Sequence, residues 1–374
     1  MKFKADRAVL LKALAHVQSV VEKRNTIPIL ANVMIAVRDV KLTLTATDME
    51  IAVVEDVAAT SLRNGACTAP AATLYEIVRR LPDGAEVEFD HAGGDAPLAL
   101  RAGRYATSLV VLPTEDFPSM TAGTLGHKFA VDAQDLRGLI DRTRFAISTE
   151  ETRYYLNGIY LHATESGSHP VLRAVATDGH RLARVEVDLP EGASGIPGVI
   201  IPRKTVAELR KLLDEATGPV DIALSDTRIQ FTVGSITLTS KLIDGTFPEY
   251  DRVIPRDNDK VLRVGCKDFE AAVARVSAIS SERSRPVKLS LAKDLLVISA
   301  SSPEQGTASE ELDGERVSYT AGPLEIGFQA RYLNDITAQI STSVEFRFSD
   351  GSAPTVVQDS GDSSALYVLM PMRV

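Results

Sequence analysis

The chain has 374 residues, 44% hydrophobic and 24% charged, a length for two or three domains and a composition that excludes a disordered chain. A net charge of −9 and a pI near 5.3 argue against a surface that is basic throughout, and 5% aromatics with no tryptophan supply few platforms for stacking single-stranded bases. Cys67 and Cys266 lie outside any C-x-x-C pattern and are expected as buried thiols, no run of 18 apolar residues exists, and the start MKFKADRAVLLKALAHV lacks a signal peptide's apolar core and cleavage site; no membrane contact and a cytoplasmic location are expected.

In chain order, FKADRAVLLKALAHV from Phe3 places Leu10 and Leu14 at the i, i+4 spacing of one helix face. A strand ending in Ala-Thr-Asp (46–48) follows, then a helix over AATLYEIVRRL (71–81) just after Pro70, an alternating strand AEVEFD, and Phe117-Pro118. After a connector at 120–127 the frame recurs from Phe129 with Leu136 and Ile140, Ala-Thr-Asp at 176–178, a helix over 203–213 after Pro202, VDIALSD, and Phe247-Pro248. A second connector at 253–260 leads to a third copy from Leu262, with Phe269 and Val273, the strand LLVISASS, a helix over 330–340, and SVEFRFSD. The pattern predicts one α+β domain three times over, each copy with two helices on a mostly antiparallel sheet.

Charge is unevenly divided between these elements. Six helical windows hold 14 basic and 10 acidic residues, so the helices carry +4 and the remainder −13. With the apolar stripes packed on sheets, Arg79, Arg80, Arg137, Arg142, Arg144, Lys204, Arg210 and Lys211 are expected to project from one helical layer suited to phosphate. Such contacts position a protein on nucleic acid without reading its sequence.

The segment ATDGHRLA (176–183) places Asp178 beside His180, a pair that could serve a metal-dependent hydrolase. Against that reading, none of the six histidines falls in H-E-x-x-H, and no third ligand keeps a recognisable spacing to His180. Neither catalysis, a metal nor another cofactor is therefore expected. Asp178 is expected to tie local backbone, and Gly179 to make a turn that brings His180 and Arg181 to a rim. Apolar residues in the last few positions of the chain, with the adaptable Met370 and Met372, read as a groove wall.

Six segments in order, PIL (28–30), RYYLNG (153–158), ATDGHRLA, VIIPRK (199–204), SKLIDGTFPEY (240–250) and YVLMPMRV (367–374), resemble the β sliding clamps of bacterial replicative DNA polymerases over essentially the full length. The resemblance implies three clamp domains, 1–126, 127–254 and 255–374, and a head-to-tail homodimer that forms a six-domain ring around double-stranded DNA. It implies a non-enzymatic processivity factor that tethers the catalytic subunit of the replicative polymerase, and repair and translesion polymerases, through a peptide-binding cleft. A clamp loader is implied as well, since the chain has no G-x-x-x-x-G-K-[ST] loop. A peptide-binding scaffold that never meets DNA is the alternative.

Carried over by motif, the cleft comprises Arg153, Leu156, Thr177, Gly179, His180, Arg181, Leu182, Pro248, Arg252, Val253, Val368, Leu369, Met370, Pro371, Met372 and Arg373. The implied DNA contacts are Arg24, Arg79, Tyr154, Tyr155, Arg203, Lys204 and Arg210, with Glu150 and Glu151 arguing against a contact at the loop before RYYLNG. The implied dimer seam holds Thr107, Leu109, Ala278 and Ile279, where Thr107 and Ala278 are smaller or more polar than clamps often carry.

Overall fold

The computed structural model describes residues 1–22, 26–120, 123–279 and 286–373. Its six α-helices are α1 (Arg7–Gln18), α2 (Ala71–Arg80), α3 (Ala133–Asp141), α4 (Arg203–Leu213), α5 (Cys266–Ser277) and α6 (Ala330–Thr337). The frame read from spacing is the frame that packs: Leu10, Leu14, Leu136, Ile140, Phe269 and Val273 are all buried. An aspartate starts the first two copies, Asp6 accepting from the Ala8 and Val9 amides at 2.8 and 3.2 Å and Asp132 from the Gln134 amide at 2.7 Å. Each satisfies donors that a helix start leaves unpaired. The third copy has Gly265 at that place and no side-chain cap. Pro70 sits at the N-cap of α2, and α4 begins directly after Pro202.

The chain divides into two compact units, and these do not follow the three repeats. The first comprises Met1–Leu136, Pro190–Pro197 and Lys204–Leu242; the second comprises Arg137–Leu189, Gly198–Arg203 and Ile243–Val374. Strand pairing between copies explains the division. In the first unit an eight-stranded sheet runs continuously from the second copy into the first, because Ile236–Lys241 pairs antiparallel with Ile51–Ala58. A five-stranded sheet completes that unit, with α1 packed on α2 and against strands Lys41–Thr47 and Ile51–Ala58.

In the second unit a nine-stranded sheet is joined where Arg181–Asp188 pairs antiparallel with Asp362–Leu369, Leu182 opposite Val368. A four-stranded sheet lies with it, and α5 packs on α6. The middle copy thus gives strands to both large sheets. Cys67 and Cys266 are buried free thiols, and burial raises both pKa values, to about 12 and about 11.

Candidate peptide cleft and nucleic-acid interface

The Ala-Thr-Asp echo is one turn built twice. At the end of strand His169–Thr177, the Thr177 hydroxyl donates to the Arg181 carbonyl at 2.7 Å and accepts from the Gly179 amide at 3.1 Å. Asp178 Oδ1 accepts from the His180 and Arg181 amides at 2.9 and 3.0 Å. Thr47 and Asp48 make the equivalent bonds to Ile51, Met49 and Glu50. Both turns need a left-handed residue, Met49 at φ 75° and Gly179 at φ 87°. Arg153 packs over this turn: its Nη2 donates to the Asp178 carbonyl at 2.9 Å, and a Cβ at 179 would have to displace its Nη1.

Asp178 therefore ties backbone, as expected. The described residues hold no group of three or more His, Cys, Asp or Glu side chains placed to bind a metal. His180 is exposed, its ring stacked on Tyr332 at 6.3 Å. The expected rim position of Arg181 needs correction. Its side chain is 4% exposed and fully engaged: Nε to Asp178 Oδ2 at 3.1 Å, Nη1 to Asp335 Oδ2 at 2.5 Å, Nη2 to the Phe145 carbonyl at 2.6 Å, and the guanidinium over the Tyr332 ring at 4.4 Å. Burial and these partners keep the guanidinium off the exposed rim.

Strand register assigns the other residues to one face of the nine-stranded sheet. Ile200 opposes Tyr160, Tyr160 opposes Val175, Val175 opposes Arg184 and Arg184 opposes Leu366; on the next row of the same face Thr177 opposes Leu182 and Leu182 opposes Val368. Leu156, Val175, Leu182, Ile200, Phe247, Tyr250 and Val368 form one buried cluster there. Side chains alternate along a strand, so Leu369, paired with Arg181, faces the opposite side and is fully buried. Leu369 is thus a second correction: it supports the sheet and does not line the cleft.

Exposed groups surround the cluster. Val253 and Met370 are exposed apolar side chains, Pro248, Arg252 and Arg373 are exposed, and Pro371 and Met372 are half-buried. The Met370 amide donates to the His180 carbonyl at 2.9 Å, and the Met372 amide to the Gly327 carbonyl at 2.9 Å, so the tail is held at both ends. An apolar floor, exposed apolar edges and a few polar groups suit a short peptide with apolar side chains.

A third row on that face escaped the sequence reading. His162, Arg173 and Glu186 stand opposite one another on three strands. Arg173 Nε lies 2.8 Å from Glu186 Oε2, Arg173 Nη1 donates to the Tyr250 hydroxyl at 2.9 Å, and that hydroxyl lies 2.9 Å from His162 Nε2. Burial, with the Arg173 charge adding to it, pushes the His162 pKa down to about 4. The legible signal was an arginine inside an apolar run, VLRAVAT.

The three first-unit cations expected at DNA are paired within the chain. Arg79 Nη2 lies 2.8 Å from Glu76 Oε2, and Arg210 Nη1 lies 2.7 Å from Asp214 Oδ1. Lys204 Nζ lies 3.0 Å from Glu22 Oε1 and also bonds Asp48. Burial alone would lower the Lys204 pKa, but these carboxylates raise it and keep the ammonium charged.

In the second unit Arg203 and Tyr154 are exposed, while Tyr155 packs against the apolar cluster. Arg142, expected in the cationic layer, instead donates to Asp362 Oδ2 at 2.8 Å and Ser364 Oγ at 3.0 Å. Glu150 is 2.7 Å from Arg153, which offsets its charge. Arg24 lies outside the described residues.

Three family models match in order along the chain: the N-terminal domain of the DNA polymerase III beta subunit over residues 1–121, its central domain over 130–249 and its C-terminal domain over 251–373. The chain belongs to the bacterial β sliding clamp family. It is 52% identical to the Caulobacter vibrioides β sliding clamp over 375 residues and 39% identical to that of Escherichia coli over 378, with all of both chains covered in each case. A C. crescentus clamp structure with polyethylene glycol at a putative tethering region matches with a TM-score of 0.97 and 51% identity, covering 100% of this chain and 99% of that one. A Bartonella birtlesii clamp bound to griselimycin matches with a TM-score of 0.96 and 47% identity, covering 100% of both chains.

As a sliding clamp the chain has three clamp domains and is not an enzyme. No helix among the described residues is long and apolar enough to cross a membrane. Each of the four sheets ends on strands with one unpaired edge, among them Tyr105–Leu109 in the first unit and Gly306–Asp313 in the second. Leu109 is buried and Thr107 half-buried on the former strand; Ala278 is exposed and Ile279 half-buried after α5.

Proposed function

We propose that two copies of this chain join head to tail and close a ring of six clamp domains, bounded at 1–126, 127–254 and 255–374, around duplex DNA in the cytoplasm. The match of three successive clamp-domain models along the chain carries this reading, and the open strand edges at Tyr105–Leu109 and Gly306–Asp313 are available for the contact. An unpaired edge is a template for another strand, and two unlike edges give a heterologous contact that closes when the rotation per copy is right. Leu109 and Ile279, with Thr107 and Ala278, form the seam.

Arg79, Arg203, Lys204 and Arg210, with Tyr154 and Tyr155, meet phosphates without reading sequence. Because the three cations of the first unit already hold carboxylate partners, their contacts are loose and exchangeable, which suits a ring that slides. The floor of Leu156, Leu182 and Val368, with Thr177 and Gly179 at its turn and Arg153, His180, Pro248, Arg252, Val253, Met370, Pro371, Met372 and Arg373 around it, receives short apolar peptides of the replicative polymerase, the clamp loader, and repair and translesion polymerases.

Analytical ultracentrifugation tests the ring. A species of twice 40.3 kDa is expected at micromolar concentration. A strict monomer contradicts closure.

A further inference from the structure

The cleft segment that follows Ile243 is weakly tied to its sheet by main chain. The Ile243 amide donates to the Ile200 carbonyl at 3.0 Å, while Tyr250 to Pro248 and Arg252 to Glu249 are bonds within the segment. Among the described residues, no other main-chain hydrogen bond joins residues 244–253 to the sheet. Two buried side chains hold it instead, beside a partly exposed pair in which Asp251 Oδ1 lies 4.0 Å from Arg184 Nη1. Phe247 stacks on Tyr160 at 4.9 Å with the rings 6° apart, and the Tyr250 hydroxyl enters the polar row between Arg173 and His162.

A phenol has one proton to give. Arg173 can only donate, so the Tyr250 hydroxyl accepts from Arg173 and donates to His162, which requires an unprotonated Nε2. The surroundings exclude the doubly protonated ring, in which both nitrogens can only donate. His162 is stacked on Tyr160 at 4.6 Å and faces the Arg173 cation, and its pKa of about 4 keeps it neutral in ordinary buffers. Arg173 is fixed in turn by Glu186, whose other oxygen accepts from Ser166 Oγ at 2.7 Å. The row is thus polarised in one direction, from the Glu186–Arg173 ion pair through the Tyr250 hydroxyl to His162.

Resting on the cleft reading above, we propose that Tyr250 is a positioning residue: its hydroxyl, held between Arg173 and neutral His162, sets where Pro248, Arg252 and Val253 stand against the bound ligand. Stacking sets the spacing of the segment from the Tyr160 ring but supplies no directional bond, and the partly exposed Asp251–Arg184 pair at 4.0 Å is a weak tie. The hydroxyl fixes it to a point on the sheet.

Griselimycin, the ligand of the B. birtlesii clamp, serves as probe in calorimetric titrations of the full chain. Tyr250→Phe keeps the ring and removes the hydroxyl, and is expected to weaken binding at least threefold with an unchanged solution mass. His162→Leu should weaken binding similarly. His162→Gln, whose amide oxygen still accepts, should restore affinity to within twofold of the parent. Imidazole 15N shifts should show Nε2 of His162 unprotonated in the parent chain. Tyr250→Phe binding within twofold of the parent, or a protonated Nε2, overturns the role while leaving the cleft intact. No binding by the parent chain removes the cleft itself, and this role with it.

Discussion

His16 Nδ1 lies 2.8 Å from Glu55 Oε2, and the other ring nitrogen lies 3.3 Å from Glu215 Oε1, so one imidazole faces a carboxylate on each side. Both nitrogens donate only in the imidazolium. Burial alone would lower the His16 pKa, but the Glu55 and Glu215 carboxylates overcome it and leave the value raised. The native state then holds a proton that the unfolded chain releases near the ordinary histidine value. Its stabilisation is complete below that pH and is lost as pH rises through the raised native pKa. His162 works oppositely. Its lowered pKa means that unfolding takes up a proton between about 4 and the ordinary value of about 6.5, so stability falls as pH drops through that window. Thermal denaturation as a function of pH should show both slopes, and His16→Gln should remove the upper one alone.

Arg181 is expected to behave as a structural residue. Removing it leaves Asp178 without its cation, Asp335 with only the longer Arg331 contact at 3.7 Å, and the Phe145 carbonyl without a donor. Breaking a buried pair in this way costs about 3–5 kcal/mol. Arg181→Ala should therefore lower the denaturation midpoint of the second unit well beyond what His180→Ala does at its exposed neighbour. Equal effects in denaturant titrations would show that the burial of Arg181 is immaterial.

Deleting residues 370 to 374 removes the Met370–His180 and Met372–Gly327 main-chain bonds but leaves strand Asp362–Leu369 paired on both sides. Peptide binding should be abolished and the solution mass of the dimer kept. Undiminished affinity in a fluorescence anisotropy titration would place the peptide elsewhere.

For the cations, Arg79→Glu and Arg210→Glu are useful reversals, whereas Lys204→Glu would set a carboxylate against buried Asp48 and confuse folding with binding. Lys204→Gln avoids this. Each change should reduce the salt dependence of DNA affinity by about one unit of slope, without a change in peptide affinity. Unchanged DNA retention in the triple variant would favour the DNA-independent scaffold.

Much of this arrangement was legible before any coordinates. The i, i+4 frames gave the six buried helix positions because burial of one helix face is a local, periodic demand, and the Thr-Asp echo marked a turn because a short acidic side chain satisfies nearby amides wherever it occurs. What sequence could not show was set by register. Arg181 and Leu182 are neighbours in the chain but face opposite sides of the sheet, and only strand pairing fixes which one meets the cleft. The helical cations were visible as a charge excess, and Glu76 and Asp214 lie within a turn of Arg79 and Arg210, whereas the Lys204 partners Glu22 and Asp48 come from distant parts of the chain. The His162–Arg173–Glu186 row likewise exists only once three strands align.

Retention on DNA of defined topology tests encirclement most directly. After loading at low salt and a wash at high salt, the chain should remain on nicked circular duplex and be lost from the same DNA once it is cut to a linear form with free ends. Equal retention on both forms would contradict a closed ring and with it the processivity role.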